Sequence, residues 1–516
     1  MNKVLDFLKE HKYLMVALVL VGISITLGVT YSNYFVTSNN HKAAEMYIGE
    51  LKYSMEIDGS TTNTLSVPTG ETIIDVKVNN LNPVDTYYKL LYLKNSNLTV
   101  KYYETTKDTD EVVTTYSKPN DSIAGSNSNN IKLLITNNST SSQNVAFTMK
   151  GGYITNTIQD ITTPSAYSEI TLVETPSTNT YFCKTNDTLT DGYTYTDSGY
   201  TYKYKWQVNP NSSLGWDVLN YDGFGVQQTD RTSTSAFSGK MCTYINDKPI
   251  LSMVYTFYNS NSTSLDLSNA NTSNVIDMSN MFNGAKVTSL DLSGFDTNNV
   301  GNMSGMFKNI SVSTLNISSF KTSLVTDMSE MFSSCKTSNL IGLENITFNA
   351  VSTTSKMFYN STVERIDFSD LISLNNIDMS YMFSGISADS VSIAGMSLNN
   401  VITMEKMFYQ ANITELIDMN NAYAYSLTNI SDIFSECTTS TIDMGNLNIG
   451  LVVDLSNLFA NSTVKNINMN SMISDSATSV SDMFSINTIE KVDMSNSSFN
   501  ALKSTEKCLR MQLLII

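Results

Sequence analysis

Carboxylates that recur at a fixed interval are the side chains of this 516-residue chain best placed for chemistry. Asp266, Asp291, Asn316, Asp367, Asp418, Asp443, Asn468 and Asp493 form one series. Asp277, Asn302, Asp327, Asp378, Asn429 and Asp454 form a second. Two carboxylates at the right separation can hydrolyse a glycosidic bond, and several facing oxygens can hold a divalent cation. With 48 acidic residues, however, accidental pairs are many. An active site needs one asymmetric cluster, whereas these acids repeat. The first series therefore reads either as a solvated polar face or as a candidate binding face for a protein, a glycan or divalent cations. Like charges on neighbouring strands repel, which accounts for Asn316, Ser392 and Asn468 among the acids.

Histidine is confined to His11 and His41, leaving the 475 residues after His41 without one. That removes Ser-His-Asp and Cys-His catalysis and every histidine metal site from the main body. No cofactor is implied, and no enzyme is expected. The net charge is −17, with only Arg231, Arg365 and Arg510 as arginines. Nucleic-acid binding needs clustered cations and is not expected.

The elements that must position the acids follow a strict beat. Phe282, Phe307, Phe332, Phe358, Phe383, Phe408, Phe434, Phe459 and Phe484 are spaced 25 or 26 residues apart, most of them after a methionine, with Phe257 one step upstream. A fixed period in this range marks a stacked solenoid. Eight residues after most of these phenylalanines a short alternation begins, as in Leu290-Asp-Leu292, which reads as a strand. Four residues before them lies another apolar residue, such as Met278 or Leu455. That 0, 3, 4 spacing predicts one buried face of a short helical turn. Each repeat is expected to run strand, loop, helical turn, loop, with the phenylalanines and methionines as its core.

The best copy reads Leu290-Asp-Leu-Ser-Gly-Phe-Asp-Thr-Asn-Asn-Val-Gly-Asn-Met-Ser-Gly-Met-Phe307. It resembles the repeat of the BspA-type leucine-rich repeat surface proteins of bacteria, and the likeness covers about half the chain in nine or ten copies over 251–503. The resemblance implies a leucine-rich-repeat-like solenoid with a parallel sheet, displayed on the cell surface for adhesion. Departures at 340–348 and 416–419, in the two 26-residue repeats, predict a bulge or wider loop.

Upstream, the expected fold is mainly β. Residues 1–12 carry lysines, and 13–31 are long and apolar enough for a single transmembrane pass, N-terminus inside. No A-x-A-like site follows, which favours a retained signal anchor over a cleaved signal peptide. Residues 44–160 alternate polar and apolar with turn signals between, as an immunoglobulin-like β-sandwich does, and 161–180 read as a linker. Residues 181–250 hold both tryptophans and a tyrosine-rich hairpin turning at 197–199. They read as a small β-rich cap on the solenoid, or as aromatics that stack on sugar. Cys183 and Cys242 bracket this unit and are placed to form a disulfide. Cys335 and Cys437 lie four repeats apart, about 19 Å at ~4.8 Å per repeat, too far for a disulfide. Both should stay reduced and buried.

The next beat falls due at position 509, where the sequence reads Lys507-Cys508-Leu509. Suitable codons for this stretch, read one base earlier, restore Met-Phe at that place. Residues 508–516 are therefore expected to be an aberrant, frameshifted tail.

Three classes of function remain at this point. The first is a membrane-anchored bacterial surface protein whose solenoid binds extracellular proteins or glycans, host-derived ones included. The second is a passive coat protein, and the third an extracellular carbohydrate-active hydrolase.

Overall fold

The computed structural model describes residues 51–107, 112–153, 163–173, 180–184, 193–197, 200–206, 223–228, 231–237, 241–369, 371, 377–503, 505 and 508. The expected anchor at 13–31 lies outside them. Among the described residues no helix is long and apolar enough to cross a membrane. The chain divides into two compact units, one up to Lys184 together with Tyr244–Pro249, the other Thr185–Thr243 with everything from Ile250 onward.

The first unit is two β-sheets around one core. One sheet has the order Tyr53–Ile57, Gly70–Asn80, Ser128–Asn137, Leu98–Tyr103, Thr171–Leu172. The other runs Tyr167–Glu169, Thr86–Leu93, Gln143–Tyr153, Thr64–Val67, with Asn120–Ile123 also on Thr86–Leu93. Pairing is antiparallel except at Thr171–Leu172. The period-two pattern places Ile131, Leu133 and Ile135 in a buried cluster with Tyr88, Leu90, Val145 and Phe147. Residues of opposite parity in the same strand, Lys132 and Leu134, are buried too. Leu134 packs with Tyr103, Phe182 and Tyr244, and Lys132 Nζ meets Asp247 at 2.7 Å and Asp75 at 3.2 Å.

In the second unit Tyr193–Asp197 and Tyr200–Trp206 pair antiparallel, Asp197 opposite Tyr200, and Phe224–Gln228 extends the hairpin. The Phe224–Gln228 strand then lies against the solenoid's first rung, where Gln228 N–H donates to Thr256 O and Thr256 Oγ1 to Val226 O. Phe237 bridges Leu265 and packs on Phe257 with ring centroids 6.0 Å apart.

From there the chain is a β-solenoid of ten rungs, one for each phenylalanine from Phe257 to Phe484. Every rung-to-rung pairing is parallel. Six strands, from Arg365–Asp367 to Thr488–Asp493, make one continuous sheet. Single bridges connect Ser252, Asp277, Asn302, Asp327, Thr353 and Asp378 along a second row. Inside, the phenylalanines stack face to face along the axis, centroids 4.9–5.7 Å apart and planes within 22°. The methionines beside them are buried, Met281, Met306 and Met331 among them.

The helical turn expected around each Met-Phe pair is not there. Among the described residues the one helical element is the 3₁₀ turn Leu343–Asn345. Residues two before and two after each phenylalanine have positive φ, 52° to 60° wherever they are not glycine. Asn280, Glu330 and Tyr381 stand at the first place, Asn309, Ser334 and Asn360 at the second. This left-handed backbone turns alternate N–H groups along the axis. Asn280, Phe282 and Gly284 donate to Ser304, Met306 and Lys308 of the next rung. The N–H groups between them, of Met281, Asn283 and Ala285, donate three residues back. A helix would send them all inward to its own chain. Tight turns put residues 0, 3 and 4 on one side as a helix does, so the burial follows the sequence pattern while the backbone differs.

The two longer repeats absorb their extra residue locally. One holds Gly342 (φ 98°) and the 3₁₀ turn. In the other the register shifts between Ile413 and Leu416. At the far end Phe484 N–H donates to Cys508 O, the bond Phe459 makes to Met483, so rung register holds as far as Cys508. Residues 509–516 lie outside the described ones. Cys335 and Cys437 are free and buried, and burial pushes both thiols up to about 12. Cys183 and Cys242 are both disulfide-bonded.

Candidate functional site

The acids of the first series do stand in rows. Asp266 pairs with Asp291, and Asp367, Ser392, Asp418, Asp443, Asn468 and Asp493 follow one another across the long sheet. Asn316 faces Ile341 instead. All eight members of the series do the same thing locally. In each, Oδ1 accepts the N–H of the residue two further on, at 2.9–3.0 Å. Such Asx turns end the strand and lead the chain into the corner. Ser392 does it with Oγ, at 3.3 Å to Ala394 N.

The second series repeats the device. Asp277, Asn302, Asp327, Asp378, Asn429 and Asp454 accept from the serine two residues on at 2.8–3.0 Å. Thr353, Thr403 and Ser479 replace them at 3.2 Å. Any short acceptor closes the turn, so Asp, Asn, Ser and Thr interchange. Charge does matter between rungs. Asp418 has its carboxyl raised by burial first and by Asp443 and Asp367 next. Asn468 relieves the row by donating from Nδ2 to Asp443 Oδ1 at 2.8 Å. No group of three or more His, Cys, Asp or Glu side chains able to hold a metal ion forms among the described residues.

Asp277 is the buried member, 3% exposed. Burial pushes its carboxyl up to about 6 from 3.8, against the pull of the Ser279 and Asn302 hydrogen bonds. The native state therefore takes up a proton that the unfolded chain has already lost. Stability from this group is fully present below about pH 4 and lost as pH rises through 6. We expect Asp277→Asn, which keeps the turn acceptor without the charge, to raise stability at pH 7.5 by ~1–3 kcal/mol. Urea melts from pH 4 to 8 should show wild type gaining stability on acidification where the variant does not. Equal slopes would mean the carboxylate is ordinary.

A groove that the acid series did not indicate runs beside the strands. It has a volume of about 720 Å3 and crosses successive rungs from Thr288 to Thr414. Its floor is the residue five after each phenylalanine: Val312, Thr337, Val363 and Ala388, none more than 8% exposed. The residues on either side point outward as two polar ridges. One carries Ser311, Lys336, Thr362, Ser387 and Asn412, the other Ser313, Ser338, Glu364, Asp389 and Thr414. Along the first ridge, rungs from Ser311 to Ser387 touch through isolated bridges where later rungs have full strands. Thr414 Oγ1 donates to Asp389 Oδ1 at 3.1 Å. The signal for this groove was present in the sequence, as polar residues four and six places after each phenylalanine.

Stacked parallel rungs around an aromatic ladder, with polar rows outside, define a repeat protein of the β-solenoid class. Over its repeats the chain is similar to a family described as "Mycoplasma protein of unknown function, DUF285", whose model matches residues 251–371 and 377–497, just under half of the chain. No curated protein and no solved structure matches it.

Proposed function

We propose that this is a non-catalytic bacterial surface protein of the BspA type. A membrane anchor at 13–31 holds it, an immunoglobulin-like stalk spaces it from the membrane, and the solenoid binds extracellular protein or glycan for adhesion. One observation carries the reading. The acids follow the rung and commit one oxygen each to their own backbone, so they are repeated architecture around an exposed polar surface, not one reacting centre.

The test is binding of the purified full chain to arrays of host-matrix proteins, mucin glycans and bacterial wall polymers. Each hit is repeated with Asp291, Asp367, Asp443 and Asp493 changed to Asn, which removes charge but keeps the turn acceptor. A saturable hit is expected. Its loss in the Asn variant would place the ligand on the acid row, and its survival elsewhere on the surface. Silence from folded protein would leave a coat protein, and turnover of any glycan would sink the non-catalytic reading.

A further inference from the structure

Resting on that reading, we propose that the groove from Thr288 to Thr414 binds an extended, uncharged polysaccharide of β-linked sugars laid along the solenoid axis. Three features of the groove select this ligand. The first is spacing. Rungs rise by ~4.8 Å, close to the advance of one pyranose unit in an extended β-1,4-linked chain. Successive sugars of such a chain are turned by about half a turn, so every second sugar meets equivalent ridge positions two rungs on. An extended peptide advances ~3.3 Å per residue and falls out of step.

The second is chemistry. The ridges carry hydroxyl and amide groups, each both donor and acceptor, which match sugar hydroxyls. The floor between them is apolar at Val312, Val363 and Ala388, suited to the C–H face of a pyranose ring. The third is charge. With −17 over the chain, and two acids, Glu364 and Asp389, against one lysine, Lys336, along the groove, a polyanion is repelled and an uncharged polymer is not.

The experiment uses the full chain and defined chito- and cello-oligosaccharides of two to six units, with a polyglutamate peptide and heparin as contrasts, measured by calorimetry. Affinity should climb by about tenfold or more from dimer to hexamer, because the groove crosses six rungs from Thr288 to Thr414. It should change little with salt. Ser338→Ile with Thr362→Ile, both at exposed ridge positions, removes two ridge hydroxyls and narrows the groove without touching the floor or adding an aromatic face, and should abolish binding while the circular dichroism stays that of wild type. Length-independent binding, a peptide or heparin that binds better, or binding that survives the double variant would overturn the proposal. If the array finds a ligand whose binding ignores the double variant, the interaction reading stands and the groove assignment falls. Silence in both experiments removes both.

Discussion

Phe358→Ala should destabilise the solenoid by ~3–5 kcal/mol. Phe358 is fully buried, with Phe332 stacked 4.9 Å away on one side and Phe383 5.7 Å on the other. Phe368 leans on it at 6.1 Å. Removing the ring therefore costs its transfer energy, two stacking contacts and a cavity that a rigid backbone ladder cannot close. Repeat arrays couple only through neighbouring rungs. The loss should thus divide the array, and urea unfolding should show a lower m value or a second transition. A loss below ~1 kcal/mol would mean that the stack is a by-product of the backbone pairing.

Gly342→Ala should cost ~2–4 kcal/mol, for a different reason. Gly342 has φ 98°, and a Cβ there would sit 2.4 Å from Ser318 N, 2.6 Å from its Cα and 2.7 Å from Ile317 C. All three are backbone atoms of the preceding rung, held by the parallel pairing, so neither side can yield. Gly70 separates the two contributions: its φ is 95°, yet nothing lies within 4 Å of a Cβ. Gly70→Ala should cost only ~1 kcal/mol. Comparable losses at the two sites would show that backbone conformation, and not the close approach of rungs, sets the penalty at Gly342.

Much of this protein was determined by its sequence alone. The 25-residue beat named a stacked array, the Met-Phe pairs named the interior, and the Leu-Asp-Leu alternations named the strands, because each rung must bury the same face against its neighbours. The strand register shifts around Ile413–Leu416 fall where the period slips to 26. The backbone path was not legible in the same way. A spacing of 0, 3 and 4 fits a helix and a run of tight turns equally, and local propensity cannot choose between them.

Only the tertiary structure made that choice. Neighbouring rungs offer carbonyls along the axis, and placing Glu330, Tyr381 and Lys406 in left-handed backbone recovers a hydrogen bond to the next rung at every second residue. The same stacking decided the site. In sequence the repeated aspartates read as a polar or binding face, and in the rung each also closes a turn. The groove arises from residues of six different rungs, brought side by side only when the array is built.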